Sequence, residues 1–223
     1  MNKTFLGFDT DKCWDYENGF YLTSHVTRLS KILAQYELYK TIIGIPGHVV
    51  ECGVYKGASF LRFATFRQIL ENPYSRKIIG FDAFGKFPEA QEDAPNRAFI
   101  RRFSSEGGDG ISRDAFIEVL AHKGFGNTEL IEGDICSTVP QYVAEHPELK
   151  IALLHLDVDV YGASKVALDH FFERIVQGGL LVMDDYASVP GETQAVDELI
   201  QKSQRTLLIE KLPLAHIPAY IRK

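Results

Sequence analysis

The sequence predicts an α/β protein built on a doubly wound, Rossmann-like parallel sheet, and three observations carry that expectation. Short apolar runs alternate with amphipathic stretches, the rhythm of βαβ units. The runs are apolar on both sides, as strands covered on both faces must be. The 223 residues, 45% hydrophobic and 24% charged, show no repeat and suffice for one compact domain whose core requires no disulfide staples.

In chain order, residues 24–41 (SHVTRLSKILAQYELYKT) place Val26, Leu29, Ile32, Leu33, Tyr36 and Leu38 mostly on one helical face, which predicts a helix ahead of the sheet. GHVVECGV (47–54) then reads as a buried strand, and KGASFLRFATFRQILE (56–71) as a helix that packs on it. KIIGFDAF (77–84), TELIEGDI (128–135) and IALLHLDVDVY (151–161) follow as the second, third and fourth strands, and GLLVMDDY (179–186) as the fifth. Between the last two lies ASKVALDHFFERIVQGG (163–179), expected to be a helix closed by Gly178 and Gly179. Residues 85–112 break this rhythm: the segment is long, polar and rich in Gly, Pro and charge, and sits past a strand's carboxyl end. A lid-like insertion over the substrate is the expectation there. The division expected is an N-terminal helical cap over 1–46 and a main domain over 47–223.

Doubly wound sheets bind ligands beyond the carboxyl ends of their strands. After the first strand stands Glu51-Cys-Gly-Val-Tyr-Lys-Gly-Ala-Ser59, with Gly53 and Gly57 in the turn, where glycine permits close backbone approach. The pattern is GxxxG rather than the GxGxxG that seats a pyrophosphate, so a nicotinamide dinucleotide is disfavoured. S-adenosylmethionine fits better: its carboxylate takes backbone N–H groups near Ser59, and its positive charges favour Glu51. Asp82, ending the second strand, suits ribose hydroxyls, and Asp134, after the third, suits an adenine amino group. Each acid alone reads equally as a helix cap or surface residue, but three at successive strand ends make a coherent set.

Asp157 and Asp159 end the fourth strand and Asp184 and Asp185 the fifth, so the four should meet at one rim, with the first pair sharing a face where the strand continues. Close carboxylates repel unless a cation or protons intervene, and an oxygen-only set suits Mg2+ or a similar hard ion. Such an ion would hold adjacent hydroxyls while a remaining carboxylate takes a proton, which is O-methyl transfer chemistry when an adenosyl cofactor lies alongside. His155 shares a face with Asp157, but a lone strand histidine reads first as a satisfied core residue.

Composition narrows the rest. The net charge of -6, without a clustered basic face, argues against nucleic acid. Three widely spaced cysteines without a CxxC pair argue against a disulfide framework and for a reducing, cytoplasmic setting. No apolar run approaches a membrane span, and the opening residues lack a signal peptide's pattern.

VECGVYKGAS, IIGFDAFGKFP and LHLDVDVYGASKVALDHFFERIVQGGLLVMDDY, within a similarity running from about ENGFYLT past DDY, resemble the TylF-type macrocin O-methyltransferase family of sugar O-methyltransferases. The resemblance implies a class I methyltransferase fold with a seven-stranded, mostly parallel sheet, S-adenosylmethionine as cofactor, and Mg2+ held by Asp157, Asp184 and Asp185. It implies Asp159 as the general base, a homodimer, and an N-terminal helical region over the active site. The chain departs from antibiotic-tailoring members in a shorter N-terminus and in Val158, where glycine is expected in several. The acceptor therefore stays open among glycosides, nucleotide sugars and polysaccharides. Two other readings compete: a metal-dependent catechol or phenol O-methyltransferase, and a non-catalytic binding protein on the same fold.

Overall fold

The computed structural model describes residues 4–88, 94–214 and 217–223. An antiparallel ribbon of β1 (Thr4–Phe5) and β2 (Phe8–Asp9) precedes α1 (Cys13–Thr23) and α2 (Val26–Lys40). The alternating units that follow are β3 (His48–Cys52), α3 (Ala58–Leu70), β4 (Ile78–Asp82), α4 (Ala94–Gly107), α5 (Arg113–His122), β5 (Thr128–Glu132) and α6 (Ile135–Glu145). Then come β6 (Ile151–Leu156), α7 (Tyr161–Phe171), β7 (Ile175–Met183), α8 (Pro190–Lys202), β8 (Ile209–Lys211) and β9 (Ala219–Arg222).

The main sheet has seven strands in the order β5-β4-β3-β6-β7-β9-β8, parallel except for β9, which runs antiparallel to both β7 and β8. Strand order reverses between β3 and β6, which places the ligand crevice at the carboxyl ends of those two strands. Alternation along the strands divides the core as a doubly wound sheet requires. Val50, Ile79 and Leu154 meet α6, α7 and α8 on one face, while Val49, Ile78 and Leu153 meet α2, α3 and α5 on the other. The cap helix α2 is part of this second layer, because Leu38 and Tyr39 near its end are buried with Phe63 and Phe66 of α3.

Four features differ from the sequence expectation. The helix before β7 ends at Phe171, and Gly178 and Gly179 lie within β7 rather than at a helix terminus. They form a bulge: Ile151 pairs with Ile175, but Leu153 pairs with Leu180. A Cβ on Gly179 would meet the carbonyl oxygens of Ala152 at 2.9 Å and Val176 at 3.0 Å, so the close approach of strands selects glycine there. The β6 strand stops at Leu156, so Asp157 and Asp159 do not share a face through strand alternation; Asp159 takes a left-handed φ of 63°. Residues 94–107 form α4, so 85–112 is not a bare loop; residues 89–93 lie outside the described residues. Finally, the edge strand β8 (three residues, partly exposed) and the four-residue, largely buried β9 are too short to announce themselves by period.

Candidate active site

The turn after β3 is built by backbone crowding. Gly53 has φ 90°, and a Cβ there would sit 1.7 Å from the carbonyl oxygen of Asp157, so the turn lies directly against the end of β6. Gly57 (φ 83°) caps α3, and its Cβ would fall 2.4 Å from the Phe116 ring. Asp82 ties this turn to β4: its Oδ2 accepts from the N–H groups of Val54 (2.7 Å) and Tyr55 (2.8 Å), and its Oδ1 from Phe84 (2.7 Å). These three bonds hold the β3–α3 turn open beneath the amino end of α3, where Ser59 is buried. Asp134 caps α6, its Oδ1 accepting from Cys136 N–H at 2.8 Å.

A cleft of about 840 Å³ runs across these strand ends. Gly53, Ser59, Asp82 and Asp134 line it together with Asp157, Asp159, Asp184 and Asp185. Register explains why the four aspartates converge: Leu156 of β6 pairs with Met183 of β7, so both acidic pairs emerge at one level. Asp157 N–H donates to Cys52 O and Asp184 N–H to Leu156 O, each at 2.9 Å, extending the ladder to the rim.

Glu51 does not line the cleft. It is fully buried on β3, and its Oε1 meets His155 Nδ1 at 2.9 Å. The other ring nitrogen of His155 lies 3.5 Å from Asp184 Oδ1. Nδ1 thus faces a carboxylate, and Nε2 lies as near to the Gln35 side-chain nitrogen, at 3.5 Å, as to Asp184. Burial pushes the His155 pKa down, but the neighbouring carboxylates of Asp184 and Glu51 outweigh burial and raise it to about 10. His155 therefore sits behind Asp184 as a charged support, tied in place by Glu51.

The cluster carries more negative charge than its surroundings tolerate. Burial and the neighbouring Asp184 charge push Asp157 well above the carboxylate range. Burial and Asp185 raise Asp159 to about 8, and the two carboxyls are hydrogen-bonded to each other, which needs a proton between them. Burial opposes ionisation of Asp184 as well, yet His155 and Lys31 hold it at about 2. Its Oδ1 is buried without a hydrogen-bond donor, the 3.5 Å contact to His155 being too long for one. Potential donor atoms of His155, Asp157 and Asp184, but not of Asp185, lie within 4.8 Å of one another, and a protonated His155 leaves the two aspartates as the oxygen donors of that group. Crowded oxygen donors, one of them orphaned, fit a hard divalent cation.

Several residues in and beneath the cleft escaped the sequence reading. Lys31 of α2 reaches the cluster and forms an ion pair with Asp184. Arg28, one turn earlier on α2, and Arg62 of α3 line the same cleft, and Arg62 donates to Gln35 at 3.1 Å. Glu192 of α8 is buried beneath, accepting from Asp185 N–H at 3.0 Å. Only the i, i+3 spacing of Arg28 and Lys31 was visible, and such spacing ordinarily marks a solvated helix face.

The model of the family described as Macrocin-O-methyltransferase (TylF) matches residues 26–218. The chain belongs to the macrocin O-methyltransferase family. Among curated relatives of this family member is the 8-demethyl-8-(2,3-dimethoxy-alpha-L-rhamnosyl)-tetracenomycin-C 4'-O-methyltransferase of Streptomyces olivaceus, 28% identical over 65% of this chain and 54% of that protein. The mycinamicin III 3''-O-methyltransferase of Micromonospora griseorubida is 29% identical over 70% of this chain and 61% of the relative. The chain thus spans little more than half the length of these relatives. Among solved structures, a TDP-rhamnose 3'-O-methyltransferase of calicheamicin biosynthesis is similar at 25% identity and TM-score 0.67, covering 94% of this chain and 86% of that one. The O-methyltransferase NovP shares the fold at TM-score 0.75 and 21% identity, over 87% of this chain and 79% of that one. The macrocin O-methyltransferase family accordingly has, in this member, the seven-stranded mostly parallel sheet expected of a class I methyltransferase.

Proposed function

We propose that this protein is an S-adenosylmethionine-dependent O-methyltransferase that methylates a sugar hydroxyl with the help of Mg2+ or another divalent cation. The observation that carries this reading is the meeting, in one cleft, of the β3–α3 glycine turn with four aspartates from the ends of β6 and β7. Ser59, in the first turn of α3, offers its backbone N–H to the cofactor's carboxylate, while Gly53 and Gly57 shape the turn, their own N–H groups donating to Phe81 O (2.9 Å) and Val54 O (2.8 Å). Asp82 and Asp134 lie along the same wall for the nucleoside, and Asp82 also keeps the turn in shape. Glu51 acts at one remove, through His155 and Asp184. Asp157, Asp184 and Asp185 would hold the cation, and Asp159 would accept the hydroxyl proton. When bound, the cation orients adjacent hydroxyls and makes one more acidic, and the cofactor supplies an activated methyl group.

Titration with S-adenosylhomocysteine, followed by a methyl-transfer screen over glycosides, nucleotide sugars and oligosaccharides with Mg2+, tests this reading. Tight binding with sugar turnover supports it; no binding with or without Mg2+ would leave a non-catalytic member of the fold. One observation favours a second reading. Lys31 stands at the acidic cluster, where phenol-type enzymes often carry a lysine near the reacting oxygen. Exclusive turnover of catechols in the same screen would select it.

The homodimer is likewise part of the proposal. No residue of α1 is buried, and Trp14 is 71% and Leu22 84% exposed, beside exposed Phe8, Tyr21 and Val26. A second copy would cover that apolar face. Sedimentation should show a dimer that becomes monomeric in the Trp14→Glu, Leu22→Glu double variant. A monomeric wild type would remove this part of the reading.

A further inference from the structure

Arg28 and Arg62 are two guanidinium groups at the acidic end of the cleft that have no carboxylate partner among the described residues. Arg62 is half-buried and its hydrogen-bond partner is a neutral amide, Gln35. Arg28 is exposed at the cleft mouth. Burial, then the like charge of Arg28, push the Arg62 guanidinium down, against the pull of Asp184, Glu51 and Asp157. Asp184 pairs with Lys31, Glu51 with His155, and Asp159 with Asp185, and among the described residues no acid, Asp157 included, forms an ion pair with either arginine. Two neighbouring cations without an anion between them are costly unless a ligand supplies one.

We infer that Arg28 and Arg62 form an anion subsite for the acceptor, and that the acceptor is a phosphorylated sugar, such as a nucleoside diphosphate sugar. This rests on the methyltransferase reading and names its substrate class. Position supports it. Lys31 touches Asp184, and Arg28 lies three residues earlier on the same helix face, roughly 4.5 Å along the axis. That offset matches the width of a pyranose ring, so hydroxyls held at the aspartates would leave an anomeric phosphate beside Arg28 and Arg62. Charge supports it too. Two guanidinium forks present planar donor pairs to phosphate oxygens, and a double positive charge matches a phosphate monoester or diphosphate better than a single carboxylate.

The test uses S-adenosylhomocysteine-loaded protein in a chelating buffer, so that no cation bridges to phosphate. Calorimetric titration with uridine diphosphate and with glucose 1-phosphate should show binding that weakens with salt. Arg28→Gln and Arg62→Gln should each weaken it roughly tenfold or more while leaving S-adenosylhomocysteine affinity unchanged. Arg28 is exposed, so its variant keeps the fold even if Arg62→Gln does not. Absence of phosphate binding overturns the inference. So does loss of S-adenosylhomocysteine affinity in the variants, which would assign the arginines to the cofactor's carboxylate. Glucuronate bound as tightly as the phosphates, with the same arginine dependence, overturns the phosphate assignment in favour of an acidic sugar. Failure of the wild type to bind S-adenosylhomocysteine at all would instead bring down the underlying methyltransferase reading, so the two failures are separable.

Discussion

Gly53→Ala is expected to lower the unfolding temperature by on the order of 10 °C and to remove S-adenosylhomocysteine binding. The added methyl would sit 1.7 Å from the Asp157 carbonyl oxygen, backbone against backbone, so no side chain can rotate away to admit it. Left-handed strain at φ 90° adds to the clash. Overpacking and strain together amount to roughly 2–5 kcal/mol. Either the β3–α3 turn or the end of β6 must move, and both line the cleft. Thermal unfolding followed by circular dichroism, with calorimetry for the ligand, reads both effects. Near-native values for both would show that the turn is not the rigid element described above.

Asp159→Asn should reduce the turnover number by about 10² to 10⁴ at saturating Mg2+, while S-adenosylhomocysteine affinity stays near native. Asparagine is the informative replacement, because it tolerates the left-handed φ of 63° that alanine would strain, and its amide can donate to Asp185. What disappears is the capacity to take a proton. The same variant carries a stability signature. The folded-state pKa of Asp159 is raised to about 8, by burial and by Asp185, above its ordinary range near about 4. The native state therefore holds a proton that the unfolded chain releases, and wild-type stability falls as pH climbs through that window. In chelator, the variant should be the more stable protein by a margin that grows from about pH 4 to about pH 8. A near-native rate with Mg2+ would refute Asp159 as the base, and a pH-independent margin would refute its shared proton.

Both expectations depend on how acids were placed. The strand-end acids were legible because alternating apolar runs give strands, and the residues after parallel strands share one edge. Asp82, Asp134, Asp157, Asp159, Asp184 and Asp185 could be set at the cleft on that ground alone. Glu51 could not be set correctly, because it lies inside β3 and alternation turns its carboxylate toward α2 and α3, where His155 meets it. The glycines divide in the same way. Gly53 and Gly57 were read from their place after a strand, whereas Gly178 and Gly179 looked like a helix end and serve a bulge between β6 and β7.

By itself the sequence determined the doubly wound sheet, the glycine turn and the rim where the acids converge. Each depends on local period and on the order of elements, which a linear reading contains. Tertiary structure decided which charges answer those acids. Lys31 lies 153 residues from Asp184, and Gln35 and His155 are 120 apart. No spacing rule links such positions. They meet because the buried end of α2 packs on α3 and the sheet, turning the opposite end of that helix, with Arg28 and Lys31, over the cleft. Side-chain partnership across the fold is set by packing of whole elements, and that packing is where the site acquires its positive charges.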